Sequence, residues 1–135
     1  MANEMTTGLA PYLHPKGGRA TEALEFYRKA FAAEVVTHMP ADDGKRIMHV
    51  TLLINGSYLM ISDEFPELSQ SNVRDMGGFD LHLQVDDADA WFDRAVAAGC
   101  TVKMPLADQF WGDRYGSVRD PFGVDWSIAA TIRQS

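Results

Sequence analysis

Helical spacing and strict two-residue alternation take turns along this chain, and they do so twice. Ala23, Tyr27, Ala30 and Phe31 fall on one stripe of a helix, and Ala88, Phe92, Ala95 and Val96 make a matching stripe in the second half. One face of each helix is therefore expected to be core. Around these segments the period drops to two. Short strands over LAPYLH (9–14) and GFDLHLQV (78–85) precede the helices. EVVTHMP (34–40), RIMHVTLLI (46–54) and SYLMISD (57–63) follow the first helix, and TVKMPLADQ (101–109), RYGSVRD (114–120) and VDWSIAA (124–130) follow the second. Thr21 and Asp86 or Asp87 are the expected helix N-caps, and Gly99 a C-terminal stop. DDGK (42–45), NG (55–56) and DPFG (120–123) carry the residues of tight turns.

Each half reads as βαβββ, so the fold class is α+β. The halves also match as sequence: ALEFYRKAFAAEVVTHMP (23–40) and ADAWFDRAVAAGCTVKMP (88–105) align without a gap, down to a shared Met-Pro at Met39/Met104 and Pro40/Pro105. The expectation is one domain over 1–135, built of repeated modules at 9–64 and 78–131 and joined by a polar linker over 65–77.

Alternation splits each strand into two rows of different chemistry. Leu13, Leu59, Ile61, Leu81, Leu83, Val85, Trp126 and Ile128 form apolar rows suited to packing under helices. The opposing rows are mixed: Tyr12, His14, Tyr58, Met60, Ser62, Asp80, His82, Gln84, Asp125 and Ser127. Such a row either faces water or lines a concavity shared by the two modules. Tyr12, Tyr58 and Met60 favour the second reading, because water-facing rows seldom collect large apolar groups; a ligand cavity or a dimer interface would use them. On that face Asp80 and His82, two apart on one strand, are the acid-base candidates.

Composition narrows the partners. The 135 residues are 46% hydrophobic and 10% aromatic, enough for an ordinary core, and the net charge of −7 is spread among interspersed signs. No electrostatic footprint for nucleic acid or an anionic membrane results, which leaves small molecules or a second copy of the chain. The lone Cys100 excludes an internal disulfide and reads as a buried structural thiol in a reducing compartment. MANEMTTGLAPYL lacks the pattern of a secretory signal, and no run is long and apolar enough to span a bilayer, so a cytoplasmic location is expected.

The stretches PYL, ATEALEFYRKAF, HVTLLINGSYLMISDE, VDDADA, DQFWGDRYGSVRDPFG and WSIA together resemble the PhnB-like branch of the vicinal oxygen chelate superfamily, which includes glyoxalase I, extradiol dioxygenases, fosfomycin-resistance enzymes and bleomycin-binding proteins. The resemblance covers nearly the whole chain. It implies paired modules forming an open eight-stranded barrel-like sheet, and a homodimer. It also implies a divalent metal held by His, Gln or Glu at positions that fall here on Tyr12, Met60, Asp80 and Ser127. Only Asp80 among these is a hard-metal ligand, and Val124 stands where the branch commonly has a further His, so no metal and no cofactor are expected. A rearranged set using His14, His82 and a carboxylate is the alternative. His49 sits where this branch often keeps a His. Members often carry a methyltransferase label, yet no glycine-rich loop for a methyl donor is present. For the DQFWGDR loop two readings stand. Trp111 and Arg114 contact a ligand, or Trp111 packs as a lid while Arg114 pairs with Asp63 or Glu64. The functions left open are a metal-free protein binding a small polar or aromatic molecule, a metal-dependent lyase or dioxygenase, and a drug-sequestering protein without chemistry.

Overall fold

The computed structural model describes residues 8–67 and 75–132. Residues 1–7, which open the stretch read for a secretory signal, and residues 68–74 of the expected linker lie outside them. The chain divides into two compact units, Met1–Arg28 with Ala32–Asp75, and Lys29–Phe31 with Met76–Ser135. The order of elements is β1 (Tyr12–Leu13), α1 (Ala20–Phe31), β2 (Glu34–Pro40), β3 (Ile47–Ile54), β4 (Ser57–Ile61), β5 (Asp80–Gln84), α2 (Ala88–Ala98), β6 (Thr101–Asp108), β7 (Asp113–Arg119) and β8 (Asp125–Thr131). This is the expected α+β succession of two βαβββ modules.

In the first unit the four strands form one mixed sheet in the order β1-β4-β3-β2, with β1 parallel to β4 and the other pairs antiparallel. The apolar row behaves as the alternation predicts: Leu13, Leu59 and Ile61 are buried, together with Val50, Leu52 and Ile54 from β3. Asn55 and Gly56 both take positive φ (49° and 83°), the pair of left-handed residues that a two-residue hairpin between β3 and β4 requires. β1 is shorter than the sequence suggests. Pro11 and Pro15 bracket it, and neither has an N–H to extend a ladder.

The first helix begins differently from the expectation. Ala20 is already helical, so Thr21 is its second residue and cannot serve as the cap, and Arg19 at the N-cap position makes no side-chain capping bond. The buried Asp63 supplies that acceptor from just beyond β4. Its Oδ1 accepts from the Ala20 amide at 3.0 Å and its Oδ2 from the Ile47 amide at 2.8 Å. A buried carboxylate is tolerated here because it satisfies two buried donors and sits at the positive end of a helix.

The second unit repeats the strand order as β5-β8-β7-β6, again with one parallel pair, β5 with β8. Leu83, Val85, Trp126 and Ile128 are buried and Leu81 half-buried, and Phe31, which belongs to this unit, packs against Trp126 with ring centroids 4.3 Å apart and the rings tilted by 35°. α2 is capped locally, as expected for Asp87: its side chain accepts from the Ala90 amide at 3.1 Å, and Gly99 with φ 129° ends the helix. A second buried carboxylate, Asp120, folds the DPFG turn. It accepts from the amides of Phe122 and Val124 and from Trp126 Nε1, at 2.9 to 3.0 Å.

The shared Met-Pro is explained by strand pairing. Met39 lies opposite His49 and Met104 opposite Ser117, and in each strand the ladder slips between the Met and the next paired residue, where proline has no amide to donate. Cys100 is buried, and that burial, with the nearby charge of Asp120, pushes its thiol up to about 12. No helix among the described residues is long and apolar enough to cross a membrane.

Candidate functional site

The mixed rows become two polar faces, one on each unit. On the first, the parallel pairing of β1 with β4 sets Tyr12 opposite Met60 and carries His14 and Ser62 onto the same side. His14 Nδ1 lies 2.8 Å from Ser62 Oγ. Tyr12 leans over His14 with ring centroids 4.8 Å apart, and its hydroxyl lies 3.0 Å from His49 Nδ1. His49 Nε2 reaches Thr51 Oγ1 at 2.8 Å. His49 therefore enters the cluster from β3, between a phenol and a buried hydroxyl. Met60 and Tyr58 complete the row, both half-buried.

On the second unit β5 sets Asp80 opposite Asp125 and His82 opposite Ser127. His82 Nδ1 is 2.6 Å from Ser127 Oγ and its Nε2 is 2.8 Å from Gln84 Oε1. The Gln84 amide nitrogen in turn donates to Asp113 Oδ1 at 3.4 Å, and Trp111 Nε1 donates to Asp113 Oδ2 at 3.2 Å. These bonds fix the protons. A Gln84 amide that donates to a carboxylate turns its carbonyl oxygen toward His82, so Nε2 carries the hydrogen and neutral His82 accepts the Ser127 hydroxyl at Nδ1. Aromatic rings run along the same chain: Tyr115 stacks on His82 at 6.2 Å, and Trp111 meets Tyr115 edge to face at 5.8 Å. Trp111 stays half-exposed at the β6–β7 turn, with Phe110 beside it 97% exposed.

Two expected site residues are placed elsewhere or committed to other partners. Arg114 pairs across β7–β8 with Ala130, so it projects to the side opposite Tyr115 and Asp113. There it clasps Asp89 of α2 with two bonds, at 2.9 and 3.1 Å, and Asp108 with a third at 3.1 Å; neither Asp63 nor Glu64 is its partner. Alternation within β7 explains the displacement. Asp125 does lie on the mixed face, but Arg119 at 2.7 Å and Lys103 at 2.8 Å hold it. The Arg119 guanidinium, ahead of Lys103, keeps its carboxyl below the usual range. Asp80 is exposed.

Tyr115 is not a candidate on sequence grounds and Asp113 is one only as a companion of Arg114 in the DQFWGDR loop, yet the two connect His82, Gln84 and Trp111. The signal was available: in DRYGSVR the residues Asp113, Tyr115 and Ser117 alternate with Arg114, Gly116 and Val118.

The family model described as Glyoxalase/Bleomycin resistance protein/Dioxygenase superfamily matches residues 17–128. The chain belongs to that superfamily. An uncharacterised protein of Mycobacterium tuberculosis is 41% identical over 139 residues, covering 99% of this chain and 80% of its own length. Protein YjdN of Escherichia coli is 31% identical over 148 residues, covering 93% and 97%. Among solved structures, a Pseudomonas aeruginosa protein superposes with a TM-score of 0.75 at 28% identity, covering 95% of this chain and all of its own.

The superfamily's metal finds poor donors here. At the carried-over positions stand a phenol, a thioether, a carboxylate and an alcohol, and the Tyr12 and Ser127 hydroxyls are already bonded to His49 and His82. The strand register adds a mismatch: Tyr12 faces Met60 directly, but Asp80 faces Asp125 and not Ser127. Among the described residues no three His, Cys, Asp or Glu side chains converge on a point where they could hold a metal ion.

Proposed function

We propose that this superfamily member is PhnB-like and binds a small polar, aromatic molecule on the mixed face of its second unit, without a resident divalent metal, as a cytoplasmic homodimer. The observation that carries the reading is the continuous array Ser127, His82, Gln84, Asp113 and Trp111, flanked by Tyr115. Rings set side by side offer a stacking surface, each aromatic contact contributing about 0.5–1.5 kcal/mol beyond area burial. The amide and carboxylate between them give the ligand's polar groups a fixed direction. Motifs DQFWGDR and DPFG support the branch assignment. With both nitrogens of His82 engaged, binding is favoured over proton transfer by that ring, and Asp80 is the freer acid-base group.

A thermal-shift screen of metabolites and drugs tests the reading, since a ligand at roughly 100 times its Kd stabilises the native protein by about 2.7 kcal/mol. Trp111→Ala and Tyr115→Ala are expected to abolish the shift; a hit whose shift both variants retain would refute the site. Elemental analysis of untagged protein is expected to find no stoichiometric zinc, nickel, iron or manganese. Turnover of a hit that survives Asp80→Ala combined with His82→Ala would end the acid-base assignment, and binding without turnover would make the protein a sequestering one.

A further inference from the structure

The first unit's histidine–serine pair carries its protons the other way round, and this gives it a binding capacity of its own. Ser62 Oγ donates its single hydrogen to the Asp63 carbonyl oxygen at 3.1 Å. A hydroxyl whose hydrogen is already donated can only accept from its next neighbour, so His14 Nδ1, at 2.8 Å, must be the donor. The neutral imidazole is thereby fixed as the Nδ1–H form, which leaves Nε2 as a bare acceptor. That nitrogen has no partner among the described residues, and it is not sealed in: the buried side-chain nitrogen or oxygen that lacks a hydrogen bond there is Arg94 Nη2. Beside it Tyr12 is 43% exposed, its ring is tilted 35° to the imidazole, and its hydroxyl is turned to His49.

We infer that His14 Nε2 and the Tyr12 ring form a second binding site, on the first unit, for an aromatic molecule bearing an O–H or N–H donor. The ligand's donor hydrogen-bonds to Nε2 while its ring lies against Tyr12. The second unit's counterpart cannot do this, because His82 Nε2 carries a hydrogen and is tied to Gln84. This site shares no residue with the one proposed above, so either can fail without the other.

Phenol is a suitable probe, combining one ring with one donor. Long-range proton–nitrogen NMR spectra of the full chain, uniformly labelled with nitrogen-15 and recorded where the imidazoles are neutral, report which ring nitrogen is protonated. His14, assigned by the loss of its signals in His14→Phe, is expected to show the Nδ1–H pattern and His82 the Nε2–H pattern. Titrating phenol should then shift the His14 Nε2 resonance and leave His82 in place. In His14→Phe, phenol binding followed through Tyr12 should weaken about fivefold, the worth of one neutral hydrogen bond. An Nε2–H pattern for His14 would overturn the inference. So would a phenol titration that moves no His14 signal, or that moves only those of His82. Ser62→Ala provides a further check: with the Nδ1 acceptor gone, His14 should become a mixture of tautomers, and an unchanged pattern would refute the assigned cause.

Discussion

His14 with Ser62 and His82 with Ser127 occupy matching places in the two units: His82 and Ser127 lie on β5 and β8, and His14 and Ser62 lie one residue past the ends of β1 and β4. The Nδ1-to-Oγ distances are alike, 2.8 and 2.6 Å, yet the proton runs from histidine to serine in the first and from serine to histidine in the second. One neighbour decides each case. A carbonyl at Asp63 takes the hydroxyl hydrogen of Ser62, whereas the Gln84 carbonyl claims the Nε2 hydrogen of His82. A duplicated backbone thus preserves the pairing of side chains while the surrounding acceptors set its polarity.

The largest expected effects test whether the buried carboxylates matter equally to the two halves. Asp63→Ala strands the Ala20 and Ile47 amides, and Asp120→Ala strands two amides and the Trp126 indole. Each substitution is expected to cost about 2–4 kcal/mol in urea unfolding, since a buried unsatisfied donor costs about 1–3 kcal/mol. Insensitivity of either would separate the halves energetically. Gly116→Ala comes next. Val118 pairs with Trp126 as Val50 pairs with Ile61, so Gly116 stands where the first unit has Met48. A methyl group there would sit 2.9 Å from both Phe92 Cε2 and the Met104 carbonyl oxygen, an overpacking worth about 1–3 kcal/mol by the same measurement.

The two serines sharpen the comparison further. Ser62→Ala and Ser127→Ala should each destabilise by about 1 kcal/mol. Only the first should scramble its histidine's tautomer, because Gln84 continues to hold the Nε2 hydrogen of His82 when Ser127 is gone. NMR of the ring nitrogens distinguishes them. The smallest effect belongs to the second unit alone. The Cys100 thiol rises from 9.0 to about 12 in the folded chain. The unfolded chain therefore loses this proton first as the pH climbs past about 9, and stability falls with pH between the two values. By about pH 9 this should amount to about 0.4 kcal/mol in unfolding free energy, and Cys100→Ala should remove that slope.

Much of the fold could be read from spacing alone, because two-residue and helical periods both depend on one-sided burial. Spacing marks out β2 to the residue and puts the apolar rows of β1, β4, β5 and β8 on the side they occupy. What escaped the sequence depends on contacts between distant segments. The acceptor for the start of α1 comes from Asp63, 43 residues beyond Ala20, and no local pattern announces it. For Arg114 the sequence leaves a ligand contact and a pairing with Asp63 or Glu64 both open, because the row it belongs to is set by where β7 begins. Starting that strand at Asp113 turns Arg114 toward Asp89 and brings Asp113 and Tyr115 to His82. Proton directions depend on second neighbours and lie beyond any reading of spacing.

The contrasting helix starts bear on the route by which the chain becomes ordered. Asp87 caps α2 from within its own turn, so that helix can nucleate from neighbouring residues and lend early protection to its amides. α1 gains its acceptor only after the β3–β4 hairpin has formed and carried Asp63 back to Ala20, a closure of high contact order. In a molecule built from one module used twice, the second copy is thus equipped to assemble locally and the first must wait for its own far end.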